Sequence, residues 1–339
     1  MSFFIDRVDR IRLTIRYINL YRLLNLWKIM LSYLYSYFGK EKTFKHRPYF
    51  ISVEPANFCN LECKECPVGQ RKDPHYPNAK MDLSVYQKLI NELKSSLFHV
   101  IFYFQGEPFL NQQLCDMISY AHNAKLYTST STNGHFLTDH LAEKIVRSGL
   151  DKLIVSIDGA TQEVYEQYRV GGTLAKVCEG VENLVRWKRN LKSPTPLIEI
   201  QFIVFKSNED QMGEMKLLTK RLGADSLRFK TAQLYNFENG NPALTTKDNF
   251  ARYKKGADGR YALKAPQPNH CLRLWSGAVI NAKGELLPCC FDKGSDFSFG
   301  NVKEQSFDTQ WKNKKASNFR GSILQNRKQF EMCRNCTSK

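Results

Sequence analysis

Three cysteines close together, Cys59, Cys63 and Cys66, restrict this chain more than any other feature of its sequence. They follow the apolar run 49–54, which predicts a buried strand, so they fall on the loop at its carboxyl end. Thiolates normally hold all the irons of a cubane iron–sulfur cluster, and three local ones leave one iron open. An open coordination position is where a metal site does chemistry. The alternative is a zinc site or unrelated thiols, but a zinc ribbon needs paired Cys-x-x-Cys knuckles.

The segment Cys-x-x-x-Cys-x-x-Cys, with Asn60 after the first cysteine and Pro67 after the last, resembles the radical S-adenosylmethionine (radical SAM) superfamily. The resemblance implies that the open iron of a 4Fe–4S cluster binds the amino and carboxylate groups of S-adenosylmethionine. It also implies an enzyme in which the reduced cluster cleaves this cofactor to methionine and a 5′-deoxyadenosyl radical, which removes a hydrogen atom from a substrate carbon. The implied electron donor is a reductase, a flavodoxin or a ferredoxin.

Alternating strand and helix patterns after residue 48 predict an α/β domain with a parallel sheet and right-handed crossovers. The predicted strands are 49–54, 100–104, 125–131, 152–157, 197–204 and 226–230. The predicted helices are 84–97, 112–123, 138–148, 173–190 and 210–222, with Ser84 and Thr138 as N-caps. The resemblance implies a partial (β/α)6 barrel, whose active site lies at the carboxyl ends of the strands.

A segment after the second predicted strand, Gln105-Gly106-Glu107-Pro108, is similar to the Gly-Gly-Glu-Pro segment of the family. The resemblance implies that its backbone and its Glu hold the amino group of S-adenosylmethionine. Such a contact requires a close backbone approach and an acceptor for a cationic amine. The first glycine of the family pattern is Gln105 here, while the following three residues are kept.

A second segment, Ser156-Ile157-Asp158-Gly159, closes the fourth predicted strand, and in the family such a segment contacts the ribose or carboxylate region of the cofactor. Arg169 is a candidate clamp for the cofactor carboxylate; its alternative is a solvated arginine at a helix end. Thr132-Asn133-Gly134 follows the third strand, and a turn is enough to explain it.

A second cysteine set closes the chain: Cys271, Cys289, Cys333 and Cys336, with a predicted hairpin over 277–287. The pattern Cys-x12-Gly-x4-Cys followed by Cys-x-x-Cys resembles the SPASM domain in its shortened, twitch form, which implies one auxiliary 4Fe–4S cluster. The alternative is a four-thiolate zinc site. Since four cysteines would ligate all four irons, we expect this cluster to transfer electrons and not to bind substrate.

Two residues beside Cys289 are candidates for catalysis. Cys290 has no partner in this scheme, so its thiol could return a hydrogen atom to a substrate radical, as in an epimerase; the alternative is a small buried residue. Asp292 could accept the proton released in an oxidation, and its alternative is a turn residue. Cys115 and Cys178 fall in predicted helices and are interpreted as packing residues.

The chain outside the barrel divides into residues 1–47, a basic amphipathic helical extension; 231–270, a linker or substrate-covering segment; and 271–339, the cluster domain, with the barrel at 48–230. No apolar run reaches the ~18–20 residues of a spanning helix. We expect a cytoplasmic protein without a secretion signal, whose first helix could contact the inner membrane face. The net charge of +17 favours acidic partners such as nucleic acid, anionic lipid or an acidic peptide.

The predicted function is oxidation of a small metabolite or sugar-like alcohol, with the auxiliary cluster taking the second electron. The alternatives are a peptide-modifying maturase and an epimerase. A different class, a zinc-bound nucleic-acid-binding protein, explains the charge and the cysteines. It leaves the Gly106–Pro108 and Ser156–Gly159 segments at strand ends unexplained, so nucleic acid is not the expected partner.

Overall fold

The computed structural model of the protein describes residues 16–39, 46–71 and 77–337. The strands of this part are β1 Phe50–Val53, β2 His99–Ile101, β3 Tyr127–Thr132, β4 Lys152–Ser156, β5 Leu197–Val204, β6 Ser226–Thr231, β7 Tyr253–Lys255, β8 Tyr261–Leu263, β9 Gly277–Ile280, β10 Glu285–Leu287 and β11 Gly300–Asn301. Nine of them form one sheet, in the order β11-β10-β9-β1-β2-β3-β4-β5-β6, and β7 and β8 form a separate hairpin.

Strands β1 to β6 are neighbours in chain order and all parallel, so the predicted sheet and α/β class are confirmed. The helices are α1 Leu20–Tyr37, α2 Leu83–Leu93, α3 Leu114–Asn123, α4 Asp139–Arg147, α5 Gln162–Tyr168, α6 Leu174–Asn190, α7 Met212–Leu222, α8 Arg273–Ser276, α9 Phe307–Trp311, α10 Lys314–Asn326 and α11 Glu331–Arg334. Among the described helices, none has the length and apolar character needed to cross a bilayer.

Of the two predicted helix N-caps, one is confirmed and the other is wrong. The side chain of Thr138 accepts a hydrogen bond from the Leu141 amide, as an N-cap does. Ser84 is already inside α2, whose N-cap is Asp82; its carboxylate accepts the Ser84 amide at 2.8 Å. The prediction for Ser84 was wrong because Asp82, two residues earlier, is an equally good cap. Helix α5 was not predicted.

The carboxyl-terminal hairpin continues the barrel sheet. Strand β9 pairs in parallel with β1, from Phe50 opposite Gly277 to Val53 opposite Ile280, and β10 pairs antiparallel with β9. The hairpin was predicted at 277–287, but its place in the main sheet was not. Strand β1 is therefore paired on both edges, and its four residues are all buried. The segment 231–270, predicted as a linker or a substrate-covering segment, contains the hairpin β7–β8.

We predict that Gly277→Ala destabilises this junction. A Cβ at residue 277 would lie 2.1 Å from the Phe50 ring, which is itself buried. Overpacking of this kind costs roughly 1–3 kcal/mol in the free energy of unfolding, measured by urea denaturation. The matched change is Gly321→Ala, because a Cβ there meets no heavy atom within 4 Å and α10 gains helix propensity. Equal stabilities of the two variants would contradict the close contact of Phe50 with β9.

Candidate active site

The loop that carries Cys59, Cys63 and Cys66 is held by backbone contacts at the carboxyl end of β1. The Glu62 amide donates to the Val170 carbonyl at 3.1 Å, and the Cys66 amide donates to the Cys63 carbonyl at 3.1 Å. Directly after the loop, Gly69 lies so close that a Cβ would be 2.6 Å from the Cys63 nitrogen. The loop is thus closed on itself and tied to the segment that follows α5.

The segment after β2 lies against the residues that precede this loop. The Glu107 amide donates to the Phe58 carbonyl at 2.9 Å, and a Cβ on Gly106 would stand 2.2 Å from the Ala56 carbonyl oxygen. Only glycine permits that approach. The side-chain amide of Gln105, which replaces the first glycine of the family pattern, donates to the Lys293 carbonyl at 3.0 Å. This departure from the pattern connects the segment to the carboxyl-terminal region.

Glu107 joins the loops after β2 and β3. Its carboxylate accepts hydrogen bonds from the Thr132 hydroxyl at 2.8 Å, the Asn133 amide at 2.8 Å and the Phe109 amide at 3.2 Å. Burial raises the pKa of Glu107 to about 7, although these donors oppose the shift. Pro108 follows as the first residue of a short 3-10 turn. The predicted contact of Glu107 with a cofactor amine remains a prediction, and within the protein this side chain fixes two strand-end loops.

Two polar side chains are aimed at the thiols of the loop. The Asn133 side-chain nitrogen lies 3.6 Å from the Cys59 sulfur and donates to the Asn60 side-chain oxygen at 2.8 Å. The Arg169 guanidinium places Nη1 at 3.8 Å from the Cys63 sulfur. Both are donors, which stabilise a thiolate over a thiol. A turn was therefore an incomplete interpretation of 132–134, because Asn133 contacts the cysteine loop.

A buried ion pair fixes Arg169. Its Nε and Nη2 lie 2.7 Å and 2.6 Å from one oxygen of Asp158, whose other oxygen accepts the Ile203 amide at 2.6 Å. The Arg169 side chain is only 12% exposed, so the alternative of a solvated helix-end arginine was wrong. Burial raises the pKa of Asp158, and Arg169 opposes that shift. Ser156 is buried at the end of β4, opposite Gln201.

The thiols of the loop suit a metal cluster. Burial raises the pKa of Cys59 to about 11 and also raises the pKa of Cys63, where Arg169 opposes the shift. Such thiols are protonated at neutral pH until a metal displaces the proton. With donors beside Cys59 and Cys63, this donor set fits three irons of a cubane cluster.

The second cysteine set lines one small cavity beneath α8 and α10, formed by Cys271, Cys289, Cys333 and Cys336. Burial raises the pKa of Cys271 and raises that of Cys333 to about 11. The almost fully buried Arg327 donates to Cys333. The Gln267 side chain donates to the carbonyls of Cys333 and Cys336, at 2.8 Å and 3.2 Å, and so fixes their turn. Four thiols beside a buried cation fit an anionic thiolate cluster.

Among residues 16–39, 46–71 and 77–337, no three Cys, His, Asp or Glu side chains converge on a point that a single metal ion could occupy. A four-iron cluster instead distributes its thiolates over separate iron atoms, so the thiols of such a site surround a volume.

Cys290 and Asp292 lie in different surroundings. Cys290 lines a cavity of about 650 Å³ inside the barrel, together with Cys66. The residues that line that cavity do not include Asp292, whose two carboxylate oxygens accept the Asp296 and Phe297 amides at 2.9 Å and 3.1 Å. Burial raises the pKa of Asp292 to about 6. These contacts indicate that Asp292 stabilises a turn. None of them supports its use as the proton acceptor.

Sequence reasoning missed the charged side chains of the barrel cavity. Arg228, Lys230, Arg252 and Arg273 all contribute to its wall. The first two are separated by one residue in β6, so they point to the same face of the sheet. Two basic residues on the inward face of a barrel strand were a signal that the sequence carried. Arg252 lies in a loop and Arg273 begins the single-turn helix α8, and both segments are too short for a period to mark the inward face.

Models of two known protein families match segments of this chain. The radical SAM superfamily model matches residues 53–197, and the SPASM model, an iron–sulfur cluster-binding domain, matches residues 271–337. The chain thus contains a radical SAM domain followed by a carboxyl-terminal SPASM domain. Its cofactors are S-adenosylmethionine and 4Fe–4S clusters, as the resemblance implied, and it is an iron–sulfur enzyme. The alternative of a non-enzymatic, zinc-bound nucleic-acid-binding protein is not retained.

Individual relatives are distant but cover most of the chain. The PqqA peptide cyclase of Gluconobacter oxydans is 23% identical over 310 residues, which cover 86% of this chain and 83% of the relative. The tungsten-containing aldehyde ferredoxin oxidoreductase cofactor-modifying protein of Pyrococcus furiosus is 25% identical over 300 residues, covering 80% and 83%. The structure of anSMEcpe with bound AdoMet superimposes with a TM-score of 0.61 at 17% identity, covering 86% of this chain and 85% of that one. This likeness shows a shared fold and confirms the partial barrel.

We predict that Asp158→Asn lowers the free energy of unfolding by roughly 3 kcal/mol, because it leaves the buried Arg169 without its counter-charge. The matched control is Asp139→Asn, whose partner Arg186 is half-exposed, because a solvent-exposed pair contributes little to the free energy of unfolding. Urea denaturation of the two variants and the parent protein measures the difference. If Asp158→Asn were as stable as Asp139→Asn, the pair would not be held in the buried arrangement described here.

Proposed function

We propose that this enzyme oxidises a small metabolite or sugar-like alcohol by two electrons. When bound, S-adenosylmethionine and the cluster at Cys59, Cys63 and Cys66 supply a 5′-deoxyadenosyl radical, and the cluster at the carboxyl-terminal cysteines supplies an electron acceptor. The substrate loses a hydrogen atom to the radical, then one electron to that acceptor and one proton to a base. One electron is used to cleave S-adenosylmethionine, and one electron is returned when the substrate radical reduces the second cluster.

The observation that carries this proposal is the wall between the two cavities. Arg273 and Phe291 line both the barrel cavity and the small cavity of the carboxyl-terminal thiols. The consecutive residues Cys289 and Cys290 face the thiol cavity and the barrel cavity, respectively. A substrate in the barrel would therefore be one layer of side chains from the second cluster. Such a short separation suits direct electron transfer.

The size of the barrel cavity supports a small substrate. Its volume of about 650 Å³ falls in the range of roughly 300–1,000 Å³ typical of small-molecule sites. The first alternative, modification of a peptide, is supported by the similarity to the PqqA peptide cyclase. The second, epimerisation, is supported by the place of Cys290 in the cavity wall, from which its thiol could return a hydrogen atom.

We predict that replacing Cys59, Cys63 and Cys66 together by Ala removes one of two clusters and abolishes 5′-deoxyadenosine formation. Anaerobically reconstituted protein should fall from about eight to about four irons per chain. The measurement is iron and sulfide content, with 5′-deoxyadenosine quantified after addition of dithionite and S-adenosylmethionine. Continued 5′-deoxyadenosine formation by the triple variant would overturn the proposed role of the loop.

The matched control is Cys115→Ala with Cys178→Ala, because both thiols lie on helices and pack against the core. This control should keep its iron and its 5′-deoxyadenosine formation. In the same assay Cys290→Ala separates the reaction types once a substrate is found: an oxidation tolerates the loss of this thiol. Formation of 5′-deoxyadenosine without product would favour the epimerase.

We further propose that α1 rests on an anionic membrane surface. The helix is docked through its polar side: the buried Arg22 donates to the carbonyls of Tyr17, Lys125 and Lys94 at 2.6, 2.9 and 3.0 Å. Its apolar side faces outward, with exposed fractions of 42–75% at Leu20, Tyr21, Leu23, Leu24, Trp27, Met30, Leu34 and Tyr37. A continuous apolar stripe with aromatic residues is typical of helices that lie in a bilayer interface.

The positive charge of the amino-terminal segment favours anionic lipid as the partner of this helix surface. Residues 1–47 contain ten Lys and Arg against three Asp and Glu, so this segment carries seven of the seventeen excess positive charges of the chain. Basic residues beside an apolar helix face increase affinity for anionic lipid.

We predict that the protein co-floats with phosphatidylglycerol vesicles, more weakly at high salt, and less with pure phosphatidylcholine vesicles. Leu24→Glu with Trp27→Glu should abolish flotation, because two charges enter the apolar face. The control is Leu217→Glu, which changes a more exposed leucine on a different helix, α7. Flotation of both variants alike, or none by the parent protein, would contradict the membrane contact.

A further inference from the structure

The barrel cavity has an unequal distribution of charge. Its wall includes the carboxyl-terminal part of β6 and segments from the carboxyl-terminal half of the chain. The basic side chains that line it are Arg228, Lys230, Arg252, Arg273 and Lys293. Glu65 is the acidic side chain among its described lining residues. A cavity lined by one sign of charge concentrates ligands of the opposite sign.

Glu199, on β5, forms ion pairs with two cations, and a third cation, Lys230 on β6, lies outside these pairs. Glu199 accepts from Arg228 Nε at 2.9 Å and from Lys152 at 3.1 Å. Lys230 is the next inward residue of β6, opposite Ile203 of β5. Within the described part of the chain, its ammonium group has no hydrogen-bond or ion-pair partner. Burial and the charge of Arg228 together lower the pKa of Lys230.

Arg252 adds a second unmatched charge beside Lys230. Its side chain is buried, with 8% of the residue exposed, and it donates to the Asn335 carbonyl at 2.7 Å. Its Nε atom is buried without a hydrogen-bond partner in the described structure. Arg252 and Lys230 repel each other electrostatically. Burying like charges together costs free energy unless an anion or another acceptor compensates them.

The cofactors do not account for this charge. S-adenosylmethionine carries a sulfonium cation, which gains nothing from further positive charge, and its single carboxylate has a separate candidate partner in Arg169. Arg169 is tied to Asp158 and points to Cys63, and it is not among the residues that line the barrel cavity. The thiols of the second cluster have Arg273 and Arg327 beside them. Arg252 is attracted to the Cys336 thiol as well as lining the barrel cavity, so Lys230, with Arg252 beside it, is the cation that remains for another ligand.

We infer that the substrate carries an oxyanion group, a phosphoryl or a carboxylate, which binds to Lys230 and Arg252. This inference rests on the proposed function and narrows it to an anionic substrate. Lys and Arg side chains are the usual donors to both groups. The cavity wall also contains Cys66 and Cys290, so a substrate anchored at Lys230 would have its remaining carbons in the space between the cysteine loop and the Cys290 thiol.

The test is calorimetric titration of the anaerobically reconstituted holoenzyme, with S-adenosylmethionine present, using pyrophosphate in one arm and citrate in the other. Lys230→Gln should bind the preferred anion about tenfold to a hundredfold more weakly, because one charge-assisted contact is lost. The matched control, Lys216→Gln, changes an exposed lysine on α7 and should bind within about twofold of the parent protein. The arm that binds more tightly distinguishes a phosphoryl from a carboxylate substrate.

Lys230→Arg keeps the charge and should retain affinity, which distinguishes a contact from a general disturbance of the barrel; unchanged iron content checks that the variants hold their clusters. Equal affinities of Lys230→Gln and Lys216→Gln, or no binding of either anion by the parent protein, would overturn the inference. Formation of 5′-deoxyadenosine by the parent protein is measured separately in the same preparations. Its absence would overturn the radical reaction whatever the anions do.

Discussion

The pairing of β1 on both of its edges is the constraint on which the rest of the structure depends. One edge pairs with β2, whose end leads to the Gly106–Pro108 segment, and the other pairs with β9, which leads to the second cysteine set. The carboxyl end of β1 itself leads to the cysteine loop. Because β1 and β2 are parallel and in register, their carboxyl ends place the cysteine loop and the Gly106–Pro108 segment at the same edge of the sheet, with β9 alongside β1. The contact of Gly277 with Phe50 maintains this arrangement.

Much of the fold could be predicted because it is local. Parallel strands such as Leu197–Val204 are mainly apolar, interrupted here by Glu199 and Gln201, and the helices between them show clear periods. The pairing of β9 with β1 joins residues more than two hundred positions apart, and no local pattern specifies such a register. For the same reason the sequence did not predict the contact of Asn133 with Cys59: the local residues are explained by a turn alone. A side chain that acts across the barrel is visible only when the strands are closed.

Charge in this protein is arranged in two ways that have different consequences. Around the thiols, cations are paired or aimed at sulfur: Arg169 with Asp158 and Cys63, and Arg327 with Cys333. In the barrel cavity, Lys230 and Arg252 repel each other. A folded protein keeps buried charges unpaired only at a cost, and such costs are concentrated at functional sites. An anionic ligand bound in this cavity would therefore reduce the electrostatic repulsion between Lys230 and Arg252.

The consecutive cysteines at 289 and 290 show how little chain is needed to separate two chemical roles. After β10 ends at Leu287, the chain turns so that one sulfur enters the small thiol cavity and the next enters the barrel cavity. Arg273 reaches both spaces from α8. An electron leaving a substrate and a hydrogen atom returning to it would therefore have donors and acceptors on the same short segment. Under the proposed function, the distance of the substrate carbon from the Cys290 thiol would separate epimerisation from oxidation, and an anion held at Lys230 would set that distance.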